Sequence, residues 1–531
     1  MPLALSILAA TAGAAPLMSE PEARRFLGQT SFGPTEGSVQ EAQHYDRAGW
    51  LELQFAKQSA GYNGFSYMDP NPSVGCPDGS PATCKRDNYS LFPLQTRFFR
   101  NALTADDQLR QRVALALSEI LVTSGDTIRQ PYAMANYQRI FLDNAFGNYR
   151  DILYAVTLSP AMGDYLDMVN NDKPNPKKGS EPNENYAREV MQLFSIGLTQ
   201  LNADGTPKLG SDGKPQPSYS QDTVEGFAHV FTGWAYAPRP GENPRFPGRK
   251  NYDGVMLAFA DHHDDGSKQL LSGVTLPAGQ GPQQDLDAAI DNLFNHPNVG
   301  PFIGRQLIQQ LVTSNPSPAY VARVAAAFNH NAQGKRGDMK AVLRAILLDP
   351  EAQAASDGNF GKLREPILQI THFMRALGGS SDGVYLRQAA SDMQQPVFDP
   401  PSVFNFYTPN AALPGNPSLK GPPFGIYGAS TAFNRTGFFN TVLSTTGVAP
   451  AKDVPGATGT RIDLTRWQTL AANPSALVAE LNRVLLGGTM SAALQTAVYQ
   501  AIQAQPVSNT LGRARTALFM VAISPEYSVE H

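Results

Sequence analysis

Concentrated positive charge is missing from this sequence of 531 residues. The formal net charge is -4, the pI is about 6.1, and lysine and arginine are dispersed rather than grouped. Proteins that bind a nucleic acid present a basic surface to its phosphates. We therefore expect no nucleic acid among the partners of this protein.

Hydrophobic runs long enough to cross a membrane are missing as well. The apolar run 1–11 is shorter than the roughly 20 residues that a membrane-spanning helix needs. It is followed by Ala12-Gly13-Ala14, the small-x-small pattern that signal peptidases read. We expect residues 1–18 to be a signal-like leader, the protein to be periplasmic or secreted, and no integral membrane segment to be present.

Cysteine is almost absent, since Cys76 and Cys84 are the only two. They enclose the turn-rich segment 77–83, and no further cysteine or histidine accompanies them to complete a zinc site. A local disulfide in an oxidising compartment is expected, worth about 2.5 kcal/mol by loop entropy. Two free thiols in a reduced cytosol are the alternative.

Several catalytic signatures are also absent. The sequence contains no Gly-x-Ser-x-Gly elbow, no Walker phosphate loop and no dinucleotide-binding fingerprint. These absences argue against several common classes of enzyme. The sequence predicts no cofactor and no metal site.

The composition and the hydrophobic pattern predict a mainly α fold. With 42% hydrophobic and 17% charged residues, the chain can bury a large core. Helical periodicity dominates, so we expect one large helical domain over 19–531, with a small β-hairpin excursion at about 200–220. Glycine and proline are abundant, and they predict long loops at about 235–283 and 396–430 that would line or cover a cleft.

The segment 183–194 is predicted to be a short helix that carries acid, base and amide side chains on one face. At 100° per residue, one arc holds Glu184, Asn185, Arg188, Glu189, Gln192 and Ser195. Residues four apart on this arc can form a hydrogen-bonded ladder. The face is either a solvated surface, which the pattern alone favours, or the wall of a functional site.

If this face is the wall of a functional site, Glu184 and Glu189 are the catalytic acid and base. Arg188 would hold one carboxylate ionised while the other stays free to take up a proton. Asn185, on the same face, would bind substrate.

A second concentration of reactive side chains lies in the segment 261–268. We predict that His263 and Lys268 bind substrate or transfer a proton, although a solvated turn is the commoner fate of such residues. A metal site built from His262, His263 and Asp264 is a weaker alternative, because no His-x-x-x-His or cysteine pair supplies further ligands.

Four further residues have both a structural and a functional interpretation. Glu119 lies two helical turns after Arg112 in an apolar helix, which favours a buried ion pair over a poised acid. Arg364 and Glu365 precede Pro366 at a helix start and look structural first, with Arg364 also a candidate for substrate binding. Trp234 would either stack on a sugar ring or cap the core.

The motifs resemble, from Arg24 to Tyr527, the bacterial "domain of unknown function 1800" family. The motifs that carry the resemblance are 26–33, 112–119, 184–189, 231–234, His263 with Gly266 and Lys268, His296-Pro297, and 401–407. The resemblance implies an exported, largely helical bacterial protein, without an assigned reaction or cofactor. The resembled family is one that is often encoded beside another exported protein of sulfatase-like character. That association hints at extracellular polymer metabolism.

The leading hypothesis is an exported enzyme that acts on an extracellular polysaccharide, as a hydrolase or lyase, by carboxylate and histidine acid-base chemistry. A shared site would require His263 to lie within about 15 Å of Glu184, because a proton-transfer network spans no more than a few hydrogen bonds. The rival hypothesis is a non-catalytic exported scaffold or partner of a neighbouring secreted enzyme. The third hypothesis is a metal-dependent hydrolase.

Overall fold

The computed structural model describes residues 16–353 and 360–530. About half of the chain is helical, and the strands that accompany the helices are short. The prediction of a mainly α fold with one large helical domain is confirmed. Most of the predicted leader, residues 1–15, lies outside the described residues.

Helices follow one another from Glu20 to Ser528. In chain order, the first half holds α1 (Glu20–Thr30), α2 (Glu36–Ala42), α3 (Arg47–Ala56), α4 (Pro72–Gly75), α5 (Cys84–Tyr89), α6 (Phe92–Thr104), α7 (Gln108–Ile120), α8 (Pro131–Asn144), α9 (Tyr149–Thr157), α10 (Pro160–Tyr165), α11 (Asn185–Gln192) and α12 (Gln221–Val230). The second half holds α13 (Pro282–Asn295), α14 (Val299–Leu311), α15 (Pro318–Asn329), α16 (Met339–Leu347), α17 (Pro350–Gln353), α18 (Pro366–Ala376), α19 (Val384–Asp392), α20 (Ala429–Val442), α21 (Thr465–Leu470), α22 (Pro474–Leu486), α23 (Ala492–Gln503), α24 (Thr510–Ala522) and α25 (Pro525–Ser528).

The strands form small antiparallel pairs. They are β1 (Trp234–Ala235) with β2 (Leu257–Ala258), β3 (Lys268–Gln269) with β4 (Thr275–Leu276), β5 (Lys362–Leu363) with β10 (Val529–Glu530), β6 (Ser380–Ser381) with β9 (Thr460–Arg461), and β7 (Ala412–Leu413) with β8 (Asn416–Lys420). The predicted excursion near 200–220 is held by isolated bridges between Thr199 and Pro217, Leu201 and Pro207, and Leu209 and Pro215. None of the helices in 16–353 or 360–530 combines the length and the apolar character that a membrane span requires.

Helix α7 lies at the centre of the core. All of its residues except Arg110 and Ser118 are buried, and it packs against α3, α6, α8 and α14. Because it is enclosed on every side, the polar residues Arg112 and Glu119 are carried into the interior with the apolar ones. This placement confirms that the helix is central.

The two ends of the described chain are fixed to the core by local chemistry. At the start of α1, Ser19 and Glu22 form the capping box that their spacing predicts, with the Ser19 amide donating to Glu22 Oε2 over 2.9 Å. At the other end, β10 pairs with β5, so the last residues hold Lys362 beside the helix α18. Cys76 and Cys84 form the predicted local disulfide, which links the end of α4 to the first residue of α5.

A close contact between α12 and β3 depends on Gly226. A Cβ atom at this position would lie 1.9 Å from the carbonyl oxygen of Gln269. Gly437, in α20, provides a matched comparison because a Cβ there meets nothing within 4 Å.

We therefore expect Gly226→Ala and Gly437→Ala to change stability in opposite directions. Gly226→Ala must separate α12 from β3 and should lower the free energy of unfolding by about 1–3 kcal/mol. Gly437→Ala should raise it by about 0.5–1 kcal/mol, because alanine loses less backbone entropy in a helix. Denaturant titration measures both changes. A gain in stability for Gly226→Ala would contradict the close α12–β3 packing.

Candidate functional site

A cavity of about 660 Å³ opens beside the C-terminal end of α7. Its wall is assembled from distant parts of the chain: the ends of α7 and α11, residues 197–207 of the excursion, one face of α14, β5 with Glu365, and the loop residues 403–410 and 420–423. The loop 396–430, predicted to line or cover a cleft, thus contributes to this wall. No residue of the other long loop, 235–283, does so.

Helix α14 supplies one complete polar and aromatic face to the cavity. The residues of this face are Phe302, Arg305, Gln306, Gln309 and Gln310. They follow the spacing i, i+3, i+4, i+7 and i+8, which places them on one side of a helix. Ile303, Leu307 and Leu311 lie on the opposite side and are fully buried in the core. The hydrophobic packing of α14 therefore fixes which side chains reach the cavity.

Two buried carboxyl groups, those of Glu119 and Glu365, lie together at the inner wall. The side-chain amide of Gln395 donates to both, over 3.3 Å to Glu119 Oε1 and 2.8 Å to Glu365 Oε2. These two oxygens are therefore no more than 6.1 Å apart, the sum of the two distances. The hydroxyl of Tyr407 also donates to Glu365 Oε2. One amide and one phenol thus tie the carboxyl pair to the cavity wall.

The environment of Glu119 favours its protonated form. Burial raises the pKa of Glu119 well above its usual range, and the neighbouring Glu365 raises it further, against smaller opposing effects of Arg112 and Lys362. Burial and the two carboxyl groups likewise raise the pKa of Tyr407 well above its ordinary value. The raised pKa stabilises the protonated form of Glu119, which is the form that a proton donor needs.

Arg112 does not form the ion pair with Glu119 that the sequence favoured, although both residues are within the described chain. Its Nη2 donates instead to the backbone carbonyl of Gln310 over 2.5 Å. The atoms Nε and Nη1 of Arg112 are buried without a hydrogen-bond partner, as are Glu119 Oε2 and Glu365 Oε1. Buried polar atoms are nearly always paired, so these four atoms leave hydrogen-bonding capacity unused around the carboxyl pair.

Lys362 is a second group with a shifted proton affinity in the same wall. Burial lowers its pKa to about 8, and the positive charge of Arg112 contributes, against the attraction of Glu530 and Glu365. Its Nζ donates to the carbonyl of Gln310 and lies 3.8 Å from Glu530 Oε2. The amine is therefore closer to neutrality than a surface lysine.

The loop that carries Tyr407 contains a strained backbone position at Asn405. Asn405 lines the cavity with φ of 63°, in the left-handed region that residues other than glycine seldom adopt. Such positions persist where the surrounding structure holds them, and they concentrate at functional sites. The strain here turns the chain so that both Asn405 and Tyr407 line the cavity.

The sequence motifs contain several parts of this site, but they do not show that these parts meet. Glu119 and Tyr407 end two of the family motifs, whereas Glu365 looked structural and Lys362 and Gln395 gave no signal. A charged pair beside Pro366, within an otherwise apolar segment, is the clue that could have drawn attention to Glu365.

Comparison with known proteins identifies the family. The family described as "Protein of unknown function (DUF1800)" matches residues 25–529, nearly the whole chain. The chain belongs to the DUF1800 family. No curated protein matches the chain. No solved structure matches it either.

The polar face of α11 in this DUF1800 protein lies outside the cavity, except for Gln192 at its end. Arg188 Nη2 is 2.7 Å from Glu184 Oε2, so the first rung of the predicted ladder is present. Glu184 also accepts from Gln221, and Asn185 donates to Asp167 over 2.7 Å. These contacts are those of a partly solvated surface.

Glu189, on the same face of α11, has a shifted proton affinity. Burial raises its pKa, against the smaller effect of Arg188. Its Oε2 is buried without a hydrogen-bond partner. Glu189 does not line the 660 Å³ cavity, so it cannot act on a ligand bound there.

His263 and Lys268 are buried together around Asp285. Asp285 Oδ2 lies 3.0 Å from His263 Nε2 and 2.7 Å from Lys268 Nζ. Lys268 also donates to the carbonyls of Asp264 and Gly266, and the other nitrogen of His263 is 3.0 Å from the carbonyl of Thr232. His263 and Lys268 are enclosed and both contact Asp285 Oδ2, which indicates a structural role, and Asp285 Oδ1 is buried without a hydrogen-bond partner in the described part of the chain.

The shared site predicted for Glu184 and His263 stays a prediction. Glu184 contacts Gln221, at the start of α12, whereas His263 contacts Thr232, just beyond the end of that helix. The eight steps from Gln221 to His229 span roughly 12 Å at 1.5 Å per residue, which does not exceed the limit of about 15 Å. The burial of His263 in the core is the observation that argues against a shared site.

The three residues of the metal alternative contact three different partners. His262 pairs with Asp172 and stacks on Phe246, His263 pairs with Asp285, and Asp264 pairs with His229. Among residues 16–353 and 360–530, no group of three or more His, Cys, Asp or Glu side chains converges as metal ligands would. The local arrangement therefore favours pairwise contacts over a shared ion.

The two remaining candidates for substrate binding are also in the core. Trp234 is 2% exposed, so its ring cannot stack on a ligand as predicted. Arg364 is buried, donates to the carbonyl of Tyr527 and lies over the Tyr527 ring. These contacts fix β5 and the start of α18, and they do not fit direct binding of substrate.

Asp285→Ala tests the structural interpretation of the His263–Lys268 cluster. The change leaves Lys268 buried without its counter-charge, so we expect the free energy of unfolding to fall by about 3–5 kcal/mol. The exposed Asp222 is the control, and Asp222→Ala should change stability by no more than about 1 kcal/mol. Thermal and denaturant unfolding measure both. Unchanged stability in Asp285→Ala would contradict a structural role and make His263 and Lys268 catalytic candidates again.

Proposed function

We propose that this protein is an exported enzyme that cleaves an extracellular polysaccharide, as a hydrolase or lyase, in the 660 Å³ cavity. The observation that carries the proposal is the buried carboxyl pair in the cavity wall, in which Glu119 and Glu365 share the amide of Gln395 and burial raises the pKa of Glu119. Both hydrolysis and elimination at a sugar linkage need an acid that gives a proton to the leaving oxygen. Glu119 has the environment that such an acid requires.

Glu365 is the complementary group in the proposed reaction. It shares Gln395 with Glu119 and is oriented by Tyr407. In such a reaction one carboxyl group donates a proton to the leaving oxygen while the second accepts one from water or from a sugar carbon. Gln395 and Tyr407 position the pair. Lys362, in the same cavity wall, has an amine that can also take up a proton.

The size and lining of the cavity suit a short stretch of a polar polymer. Small-ligand sites commonly measure roughly 300–1,000 Å³, and this cavity lies within that range. Side-chain amides from α14 offer donors and acceptors for hydroxyl groups. Phe404, which is 48% exposed at the cavity, provides the aromatic surface that the sequence had assigned to Trp234.

Glu119→Gln is the decisive variant. It removes the proton donor while keeping the shape of the side chain, and we expect product release to fall about 100- to 10,000-fold. The assay is a digestion screen over polysaccharides and glycopeptides, with products resolved by mass spectrometry. Glu365→Gln should cause a loss of similar order, and the exposed Glu225→Gln should match the wild type.

Glu184→Gln and Glu189→Gln distinguish the cavity from the α11 surface. If the chemistry takes place in the cavity, both variants release product at nearly the wild-type rate. Loss of product in these two, with full activity in Glu119→Gln, would move the active site to α11. Equal behaviour of all variants, with no carboxylate-dependent product, would favour the non-catalytic partner of a secreted enzyme.

The raised pKa of Glu119 also predicts a pH dependence of stability. The folded protein keeps this proton at pH values where the unfolded chain has already lost it, so the contribution of Glu119 falls as pH rises. This loss of stability begins at the ordinary glutamate pKa and ends at the raised pKa. Between these two values, each rise of one pH unit lowers the free energy of unfolding by about 1.4 kcal/mol. Unfolding measured across this range should show Glu119→Gln gaining stability relative to wild type as pH rises. A constant difference would contradict the assigned protonation.

A further inference from the structure

Arg305 lies in the cavity wall without a partner in the part of the chain that the structure describes. It is partly buried on the cavity face of α14, and it forms no hydrogen bond or ion pair with another described residue. Burial lowers its pKa, and no neighbouring carboxylate opposes that effect. A half-buried guanidinium with no counter-charge has a free-energy cost that the fold leaves uncompensated.

The fully buried arginines behave differently. Arg112 donates to the carbonyl of Gln310, Arg364 to that of Tyr527, Arg375 to that of Gly33 and Arg435 to that of Arg364. Each of these guanidiniums joins two segments of the chain. Arg305 joins none, so its position on α14 is not explained by packing.

The ionisable groups of the cavity wall carry an excess of positive charge. Three basic residues, Arg305, Lys362 and Lys420, line the cavity together with two carboxyl groups, those of Glu119 and Glu365. The amine of Lys420, like Arg305, has no hydrogen bond or ion pair with the described residues, because Lys420 is bonded only through its backbone, for example to Asn315. Two unpaired cations therefore border the same 660 Å³ space.

We propose that this cavity binds an oxyanion carried by the substrate, with Arg305 as its main ligand and Lys420 as a second cation. The planar guanidinium fork matches the two oxygens of a carboxylate or a sulfate, whereas neutral sugars offer it no charge. The substrate class is therefore an acidic polysaccharide, bearing either uronate carboxylates or sulfate esters. This inference rests on the proposed function in taking the cavity as the substrate site.

Direct binding measurements test the inference without reference to turnover. The probes are an oligogalacturonate, a sulfated galactose oligosaccharide and a neutral galactose oligosaccharide of equal length, titrated calorimetrically into the Glu119→Gln protein at low ionic strength. We expect at least one acidic probe to bind 10-fold or more tightly than the neutral one, with affinity falling as salt is added. The carboxylate and sulfate arms show which oxyanion is preferred.

The preference must depend on Arg305. In the Glu119→Gln background, Arg305→Gln should weaken acidic-probe binding about 10- to 100-fold and leave neutral-probe binding unchanged. Lys420→Gln should have a smaller effect, and Arg305→Lys, which keeps the charge but loses the fork, an intermediate one. Arg245 is exposed and has no partner among the described residues, so Arg245→Gln is the matched control and should have no effect.

The ways in which the inference can fail are distinguishable. If no acidic probe binds more tightly than the neutral one, including the case in which nothing binds, the oxyanion site is overturned. It is also overturned if Arg305→Gln, folded as judged by its unfolding temperature, binds like its parent. Should Arg305→Gln fail to fold, Arg305→Lys and the salt dependence decide the question. Arg305-dependent binding without any Glu119-dependent product would uphold the site and refute the proposed catalysis.

Discussion

The carboxyl pair of Glu119 and Glu365 is the constraint around which the centre of this protein is built. Two acids that share one amide donor, inside the core, cannot both ionise without a large electrostatic cost. The fold lowers that cost by favouring the protonated form of Glu119 and by placing cations, Arg112 and Lys362, nearby. The arrangement leaves buried hydrogen-bonding atoms unpaired beside a large cavity.

The helical architecture explains how such a pair can be held in place. Helix α7 presents Glu119 from the middle of the core, whereas Glu365 stands at the start of α18, next to β5. The pairing of β5 with β10 and the contacts of Arg364 with Tyr527 fix the second carboxyl group from behind. Segments more than 200 residues apart in the chain therefore determine one short distance. This dependence makes the site sensitive to changes far from the cavity.

Two polar clusters show how a structural site differs from a candidate active site. Around Asp285, the side chains of His263 and Lys268 are enclosed and bonded. Around Glu119, the groups border open space and retain unpaired atoms. Both clusters hold acids and bases in family motifs, so residue type alone does not separate them. Access to a cavity does, since a ligand needs space.

The sequence by itself determined the helical class, the capping of α1, the central position of α7 and the disulfide, because each follows from local periodicity, spacing or composition. Its motifs also contain Glu119 and Tyr407. Only the tertiary structure decided that these residues meet Glu365 and Gln395, that Trp234 and His263 are buried, and that Arg305 is left unpaired. Contacts between distant segments depend on how whole helices pack, and a pattern read along one segment carries no information about its neighbours in space.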